Sequence, residues 1–305
     1  MAWRVHLANS AIRMIEAFGG ARPMLAAWAS PRHVTLFDLN DGATLRETTL
    51  PPLPTLQAPQ ELWERYQEQA LRLPSGEHIT RVQIANRTLL LTRDGAQRLH
   101  WDGAASLTLM DDKEAVPLEA AGVSRWLAVD FDRDLGFTAA LADDGRLYLY
   151  ELNVFKGSHD IGLQPEDDRR CHVQIQRGQH IHATDGRTLV AVGASGTVKK
   201  RLALHYRVAL MASSPDGEQL ALVDYEDGIV RLYRGADLLL THQKFAIDLV
   251  LEAAPRQLLE ELPPPMTAVS SLALANAGVI AFAMGGVLCC THQDALTALP
   301  RSPLI

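Results

Sequence analysis

The feature that most constrains this chain is a short unit that keeps returning: an apolar run, a tight Asp-Gly or Gly-Gly corner, and a second run of alternating character. The clearest copy reads Ser213-Ser214-Pro215-Asp216-Gly217, then Leu220-Ala221-Leu222-Val223, then Asp227-Gly228-Ile229-Val230-Arg231-Leu232-Tyr233. Glycine supplies the positive φ that a tight corner needs, and Asp hydrogen-bonds its own backbone there, so each unit reads as a β-hairpin. The plan recurs at Asp185-Gly186, with 189–192 and then Ser195-Gly196-Thr197-Val198-Lys199. It recurs again over 137–141 with Asp144-Gly145 and 146–150, and over 89–91 with Asp94-Gly95, Leu99 and Trp101-Asp102. Looser copies lie at 25–38 and at 279–290, the latter turning on Gly285-Gly286, which makes six hairpins.

Across these copies Val34, Leu147, Val198 and Val230 fall at one equivalent position, and Phe37, Tyr150 and Tyr233 follow three residues later. Period-two patterning with β-branched and aromatic residues is the mark of strands, and helical periodicity is almost absent. Units of about 40 to 45 residues with four short strands cannot bury both faces alone and stack radially as blades. The expected fold class is therefore all-β, a β-propeller occupying 1–305 as one domain. An early strand over 4–7 would complete the final blade and remove an exposed edge.

These segments resemble WD40 repeats. The Ser-Pro-Asp-Gly corner at 214–217 and the Asp-Gly-x-Val-Arg-Leu-Tyr strand at 227–233 are similar to that family's second and third strands, and Trp101-Asp102 to its closing dipeptide. The family's Gly-His dipeptide is missing from every unit, so the chain looks like a divergent member. The resemblance implies about seven blades, with the N-terminal 30 residues as room for the one not visible. It also implies a binding platform, and some compact propellers of this kind are subunits of multi-component assemblies driven by an AAA-type ATPase.

Two insertions interrupt the repeat, at about 50–75 and 245–266. The first predicts a helix over 59–73, opened by Pro59 and ended by Pro74, with Leu62, Trp63, Tyr66 and Ala70 on one face. Leu62, Trp63 and Tyr66 either pack on the ring or form a docking surface, since Trp and Tyr are favoured anchors at interfaces. The second predicts a strand carrying Phe245, Ile247, Leu249 and Leu251, then a short helix over 255–262 that offers Leu258 and Leu259 to a partner.

Candidate chemistry is sparse. His180 and His182 are two apart on a predicted strand and share a face. With Cys171 they would form a zinc site only if 171–176 and 179–184 made one hairpin. Aligning Asp185-Gly186 with Asp216-Gly217 instead makes 178–184 an innermost strand, separates Cys171, and leaves the two histidines lining the channel. Asp130-x-Asp132-x-Asp134-Leu135-Gly136 resembles a calcium loop, but the glycine is one place late and Leu141 stands where a bidentate glutamate belongs, so an acidic turn explains it equally well. Cys289-Cys290 follows Val287 and Leu288, which predicts at least one thiol in the core. No nucleophile elbow, phosphate loop, zincin helix or dinucleotide fingerprint occurs.

The 29 basic and 36 acidic residues leave a formal charge of -7, a field that repels polyphosphate and argues against nucleic acid as a partner. No run approaches the ~20 apolar residues of a membrane span, and no secretory signal is recognisable. Three cysteines, two of them adjacent, make a poor disulfide framework and suit a reducing, cytoplasmic setting. The expectation is a protein-binding scaffold without cofactor or metal. The alternative is a propeller hydrolase or lyase with a metal or acid-base site near His180, His182 and Asp130.

Overall fold

A computed structural model describes residues 2–7, 11–18, 22–73, 78–84, 87–92, 94–111, 113–132, 134, 136–176, 180–235, 237–252 and 269–299. Among them, twenty-six strands, β1 to β26 in chain order, form six antiparallel sheets, the blades of a β-propeller. The chain divides into two compact units: residues 1–30, 35–47 and 205–305, and residues 31–34 and 48–204.

The first unit holds most of the first blade, the fifth and the sixth. β1 (Trp3–His6) belongs to the last of them. The first blade runs β2 (Met14–Phe18), β3 (Met24–Trp28), β4 (His33–Asp38) and β5 (Thr44–Thr49). In the second unit lie β6 (Arg81–Ile84), β7 (Arg87–Leu91), β8 (Arg98–Trp101), β9 (Leu107–Met110) and a fifth, outer β10 (Ala115–Pro117). The third blade has β11 (Trp126–Phe131), β12 (Phe137–Ala142), β13 (Arg146–Glu151) and β14 (Val154–Asp160), and the fourth has β15 (His172–Gln176), β16 (His180–Thr184), β17 (Thr188–Gly193) and β18 (Val198–Ala203).

Back in the first unit, the fifth blade comprises β19 (Val208–Ser213), β20 (Gln219–Asp224), β21 (Ile229–Arg234) and β22 (Leu239–Phe245). The sixth has β23 (Val269–Ala275), β24 (Val279–Met284) and β25 (Val287–His292). β26 (Thr297–Ala298) then adds to the outside of β22, while β1 pairs with β25. The N-terminal strand thus completes the C-terminal sheet as expected, and by doing so uses up the residues that could have begun another blade. The blade count is six rather than seven among the described residues.

Central strands are buried on both faces, which is why they read as apolar runs. In the sixth blade Ile280, Phe282, Met284, Val287 and Cys289 enter one core with Val230 and Leu232 of the fifth, while Ala281, Ala283, Leu288 and Cys290 enter another with Leu25 and Phe37 of the first. In the second unit the third blade does the same. Ala140, Ala142, Tyr148 and Tyr150 face the second blade, and Ala139, Leu141, Leu147 and Leu149 face the fourth. Each large side chain so buried contributes about 1.5–3 kcal/mol, and the alternation makes every blade depend on its neighbours within the unit.

Corner chemistry repeats as well. Thr92 and Ser214 each donate their hydroxyl to the carboxylate of Asp94 or Asp216, two residues on, and accept from the backbone N–H of Gln97 or Gln219. Two chemically equivalent corners thus arise in two blades from the same Thr/Ser-x-Asp-Gly string.

One blade is out of step with the sequence alignment. Asp216-Gly217 lies between the first and second strands of its blade, but Asp185-Gly186 lies between the second and third. Bulges confirm the phase: β13, β17 and β21, all third strands, shift register against their outer neighbours at Leu149/Tyr150, Ala191/Val192 and Leu232/Tyr233. An Asp-Gly corner suits any tight antiparallel turn, so it marks a turn without marking which one. Val198 therefore sits not with the buried Leu147 and Val230 but on an outer strand, 38% exposed.

Candidate interaction surfaces

The first insertion forms α1 (Gln60–Tyr66), prolonged by a π-helical turn over Gln67–Leu71. Its apolar face turns inward. Trp63, Tyr66, Ala70 and Leu71 are buried, and only Leu62, at 45%, is open. The Arg98 guanidinium, itself buried on β8, lies 5.0 Å from the centre of the Trp63 ring and donates to Gln60 Oε1 at 2.9 Å and to the Asp111 carbonyl at 3.2 Å. Cation–π attraction and these hydrogen bonds hold the helix on the second blade. Of the candidate docking face, Trp63 and Tyr66 are thus interior groups, because covering the blade buries more apolar surface than projecting from it.

The second insertion differs from its expected form over 245–251. After Phe245 the chain becomes α2 (Ala246–Glu252), with Ala246, Leu249 and Val250 buried against the fifth and sixth blades. Spacings of three and four place those residues on one helical face, and this packing overrides the alternation of Ile247 and Leu249. Lys244 clamps the element, donating to both carboxylate oxygens of Glu252 at 2.6 Å and to the Ala295 carbonyl at 3.1 Å. The proposed helix over 255–262, with Leu258 and Leu259, lies outside the described residues.

In the fourth blade, β15 and β16 do form one hairpin, pairing Gln174 with His182 and Gln176 with His180. His180 and His182 are therefore on a second strand, not an innermost one. Cross-strand partners share a face, so both histidines lie with His172, Gln174 and Gln176. Cys171, Val173 and Ile181 enter the core against the third blade on the other face. The hairpin thus keeps Cys171 away from both histidines, and no group of three or more His, Cys, Asp or Glu side chains among the described residues is arranged to hold a metal. His182 is fully buried. His180 stands 3.3 Å from Lys199 Nζ, and burial together with that cation holds its ring below the usual histidine range.

Two carboxylates of the acidic run at 130–134 accept from the backbone. Asp130 Oδ2 accepts from the Ile175 N–H at 2.7 Å, joining the third blade to the fourth. Asp132 Oδ1 accepts from the Asp134 N–H at 2.8 Å, and the Asp132 carbonyl accepts from Gly136, which holds φ +64. The same four-residue closure recurs at 38–42 and 224–228. Asn40 and Glu226 donate to Asp38 and Asp224 Oδ1 at 2.9 Å, and Gly42 and Gly228 donate to the corresponding carbonyls. There the second carboxylate oxygen takes an arginine, Arg22 at 2.8 Å and Arg231 at 3.0 Å. A pattern that resembles a calcium loop is thus one of three copies of a turn.

The thiols are interior. Cys289 and Cys290 point to opposite faces of β25 and into separate cores, and burial pushes both up to about 12, as it does Cys171. A thiol so placed is a poor nucleophile at neutral pH.

Outer strands carry the accessible surface. Leu152, Val154 and Phe155 are 46%, 56% and 51% exposed at the corner into β14, with Phe155 5.5 Å from the Tyr150 ring. Leu239 and Phe245 are similarly open at the two ends of β22. Leu152 (φ 54) and Leu238 (φ 53), at equivalent corners of the third and fifth blades, adopt a left-handed backbone that costs a non-glycine residue about 1–2 kcal/mol. Among the described residues, no helix is long and apolar enough to cross a membrane.

No protein-family model matches the chain, and no curated protein matches it in sequence. Solved structures do share its fold. The computationally designed Ika8 protein superposes with a TM-score of 0.54 at 12% identity, over 94% of this chain and 98% of that one. Raptor from Chaetomium thermophilum superposes with a TM-score of 0.64 at 9% identity over 98% of this chain, which spans only 29% of Raptor's length.

Proposed function

We propose that this chain is a non-catalytic scaffold for protein–protein interaction, a divergent WD40-like propeller acting as a subunit of a multi-protein assembly in the cytoplasm. The observation that carries the reading is the outward set at the blade corners. Leu152, Val154 and Phe155 expose apolar surface, with Leu152 itself in a left-handed backbone, and a partner that covers this surface removes it from water. Support also comes from the reactive groups, since the thiols are buried and two carboxylates of the acidic corner at 130–134 accept from the backbone. Three free, buried thiols suit a reducing compartment.

The test is mild affinity purification from the native cells of the wild-type chain beside a Val154→Asp/Phe155→Asp variant. A stoichiometric partner retained by the first and lost by the second, at equal melting temperature, supports the reading. A wild-type chain that elutes alone and monomeric overturns it.

A further inference from the structure

We propose that β18, the outer strand of the fourth blade, is an addition edge for an extended acidic segment of a partner protein; this rests on the scaffold reading and gives it a ligand chemistry. Val198, Lys199, Lys200, Arg201 and Ala203 are all exposed along this six-residue strand. Three consecutive cations in a chain of formal charge -7 form a local field opposite in sign to the whole. Among the described residues, no carboxylate pairs with any of the three. Arg201 donates to the Ile161 carbonyl at 2.7 Å, its guanidinium lying over Gly162, and Lys199 Nζ stands 3.3 Å from His180 Nδ1.

The backbone supplies the second half of the site. β18 pairs with β17 on one side, and no described strand covers its other side. This chain shows what such an edge accepts: β10 adds antiparallel to β9, and β26 adds antiparallel to β22, each as a fifth outer strand. An incoming segment at β18 would complete the same five-stranded arrangement, its N–H and C=O groups continuing the ladder.

Charge selects the occupant. Lysine on an edge opposes pairing with a second copy, since like charges would stand opposite one another. The same cations favour a strand with consecutive Glu or Asp residues, so that the feature excluding self-association chooses the partner. A nucleic acid would meet the cations but leave the strand's hydrogen-bonding groups unused, and the net charge of the chain repels it.

The experiment measures fluorescence anisotropy of a labelled Thr-Val-Glu-Glu-Glu-Val-Thr peptide against the intact protein, with hydrogen exchange followed at 198–203. Expected are saturable binding that weakens with salt, slowed exchange along β18, and affinity about tenfold lower for Lys199→Glu/Lys200→Glu, the loss of two exposed charge pairs. The same peptide N-methylated at alternate amides should not bind. Equal binding of the methylated peptide, equally tight binding of a single-stranded oligonucleotide, or no saturable binding at millimolar peptide would overturn the proposal. If the peptide fails while a stoichiometric partner still co-purifies with the wild-type chain, the β18 assignment falls and the scaffold reading stands.

Discussion

Tyr206 and Tyr233 share a hydrogen bond of 2.6 Å between their phenol oxygens, with the guanidinium of Arg231 stacked 3.8 Å over the Tyr206 ring and itself bound to Asp224 at 3.0 Å. The four side chains join the lead-in to the fifth blade to its second and third strands. Burial drives both phenols above their ordinary range, and it pushes Tyr148 and Tyr150 to about 12.

A phenol that ionises near pH ~10 in the unfolded chain and higher in the fold contributes its full stabilisation below pH ~10. That contribution is lost as pH rises toward the folded value. Urea denaturation should therefore show stability falling steadily above pH ~10, and the 295 nm absorbance of these tyrosines should appear together with unfolding. Their titration at pH ~10 with an intact near-ultraviolet dichroism spectrum would contradict the burial described.

Leu62 and Trp63 are neighbours in sequence with opposite fates, one open and one sealed beneath Arg98. Trp63→Ala should cost about 3–5 kcal/mol by chemical denaturation. Leu62→Ala should stay within about 0.5 kcal/mol. Similar losses at both positions would mean that the helix does not lie on the second blade as described.

Asp130 joins two blades through the hydrogen bond that its Oδ2 accepts from the Ile175 N–H. Its replacement by alanine leaves the Ile175 N–H unpaired and should cost about 1–3 kcal/mol, while Asp130→Asn, which keeps an oxygen acceptor, should cost less. Millimolar calcium should leave the melting temperature unchanged. A calcium-dependent rise of several degrees that disappears in Asp132→Ala would show that the turn is an ion site after all.

What could be read from the residues followed from local causes. The Asp-Gly corners and the apolar runs at 137–141 and 220–223 mark strands because turn chemistry and period-two burial act over a few residues, and the early strand pairing with β25 follows from the need to cover an edge. Phase was harder. The Asp185-Gly186 corner is chemically interchangeable with Asp216-Gly217, yet its place in the blade depends on what lies upstream of 180, and this displaced His180, His182 and Val198 by one strand. α2 was hidden because Ile247 and Leu249 alternate while Ala246, Leu249 and Val250 also fit a helical face. The inward turn of Trp63 is set by Arg98, a residue far off in sequence that carries no pattern linking it to the helix. The open corner at Leu152 gives no signal at all in the sequence, since an exposed leucine at positive φ looks like any other leucine.

The pairing of Trp3–His6 with Val287–His292 closes the sixth blade with strands far apart in sequence. The entropy of closing so long a loop must be met before the ladder rewards it. Docking of β1 should therefore lag the local hairpins and set the pace of refolding, however stable the finished blade.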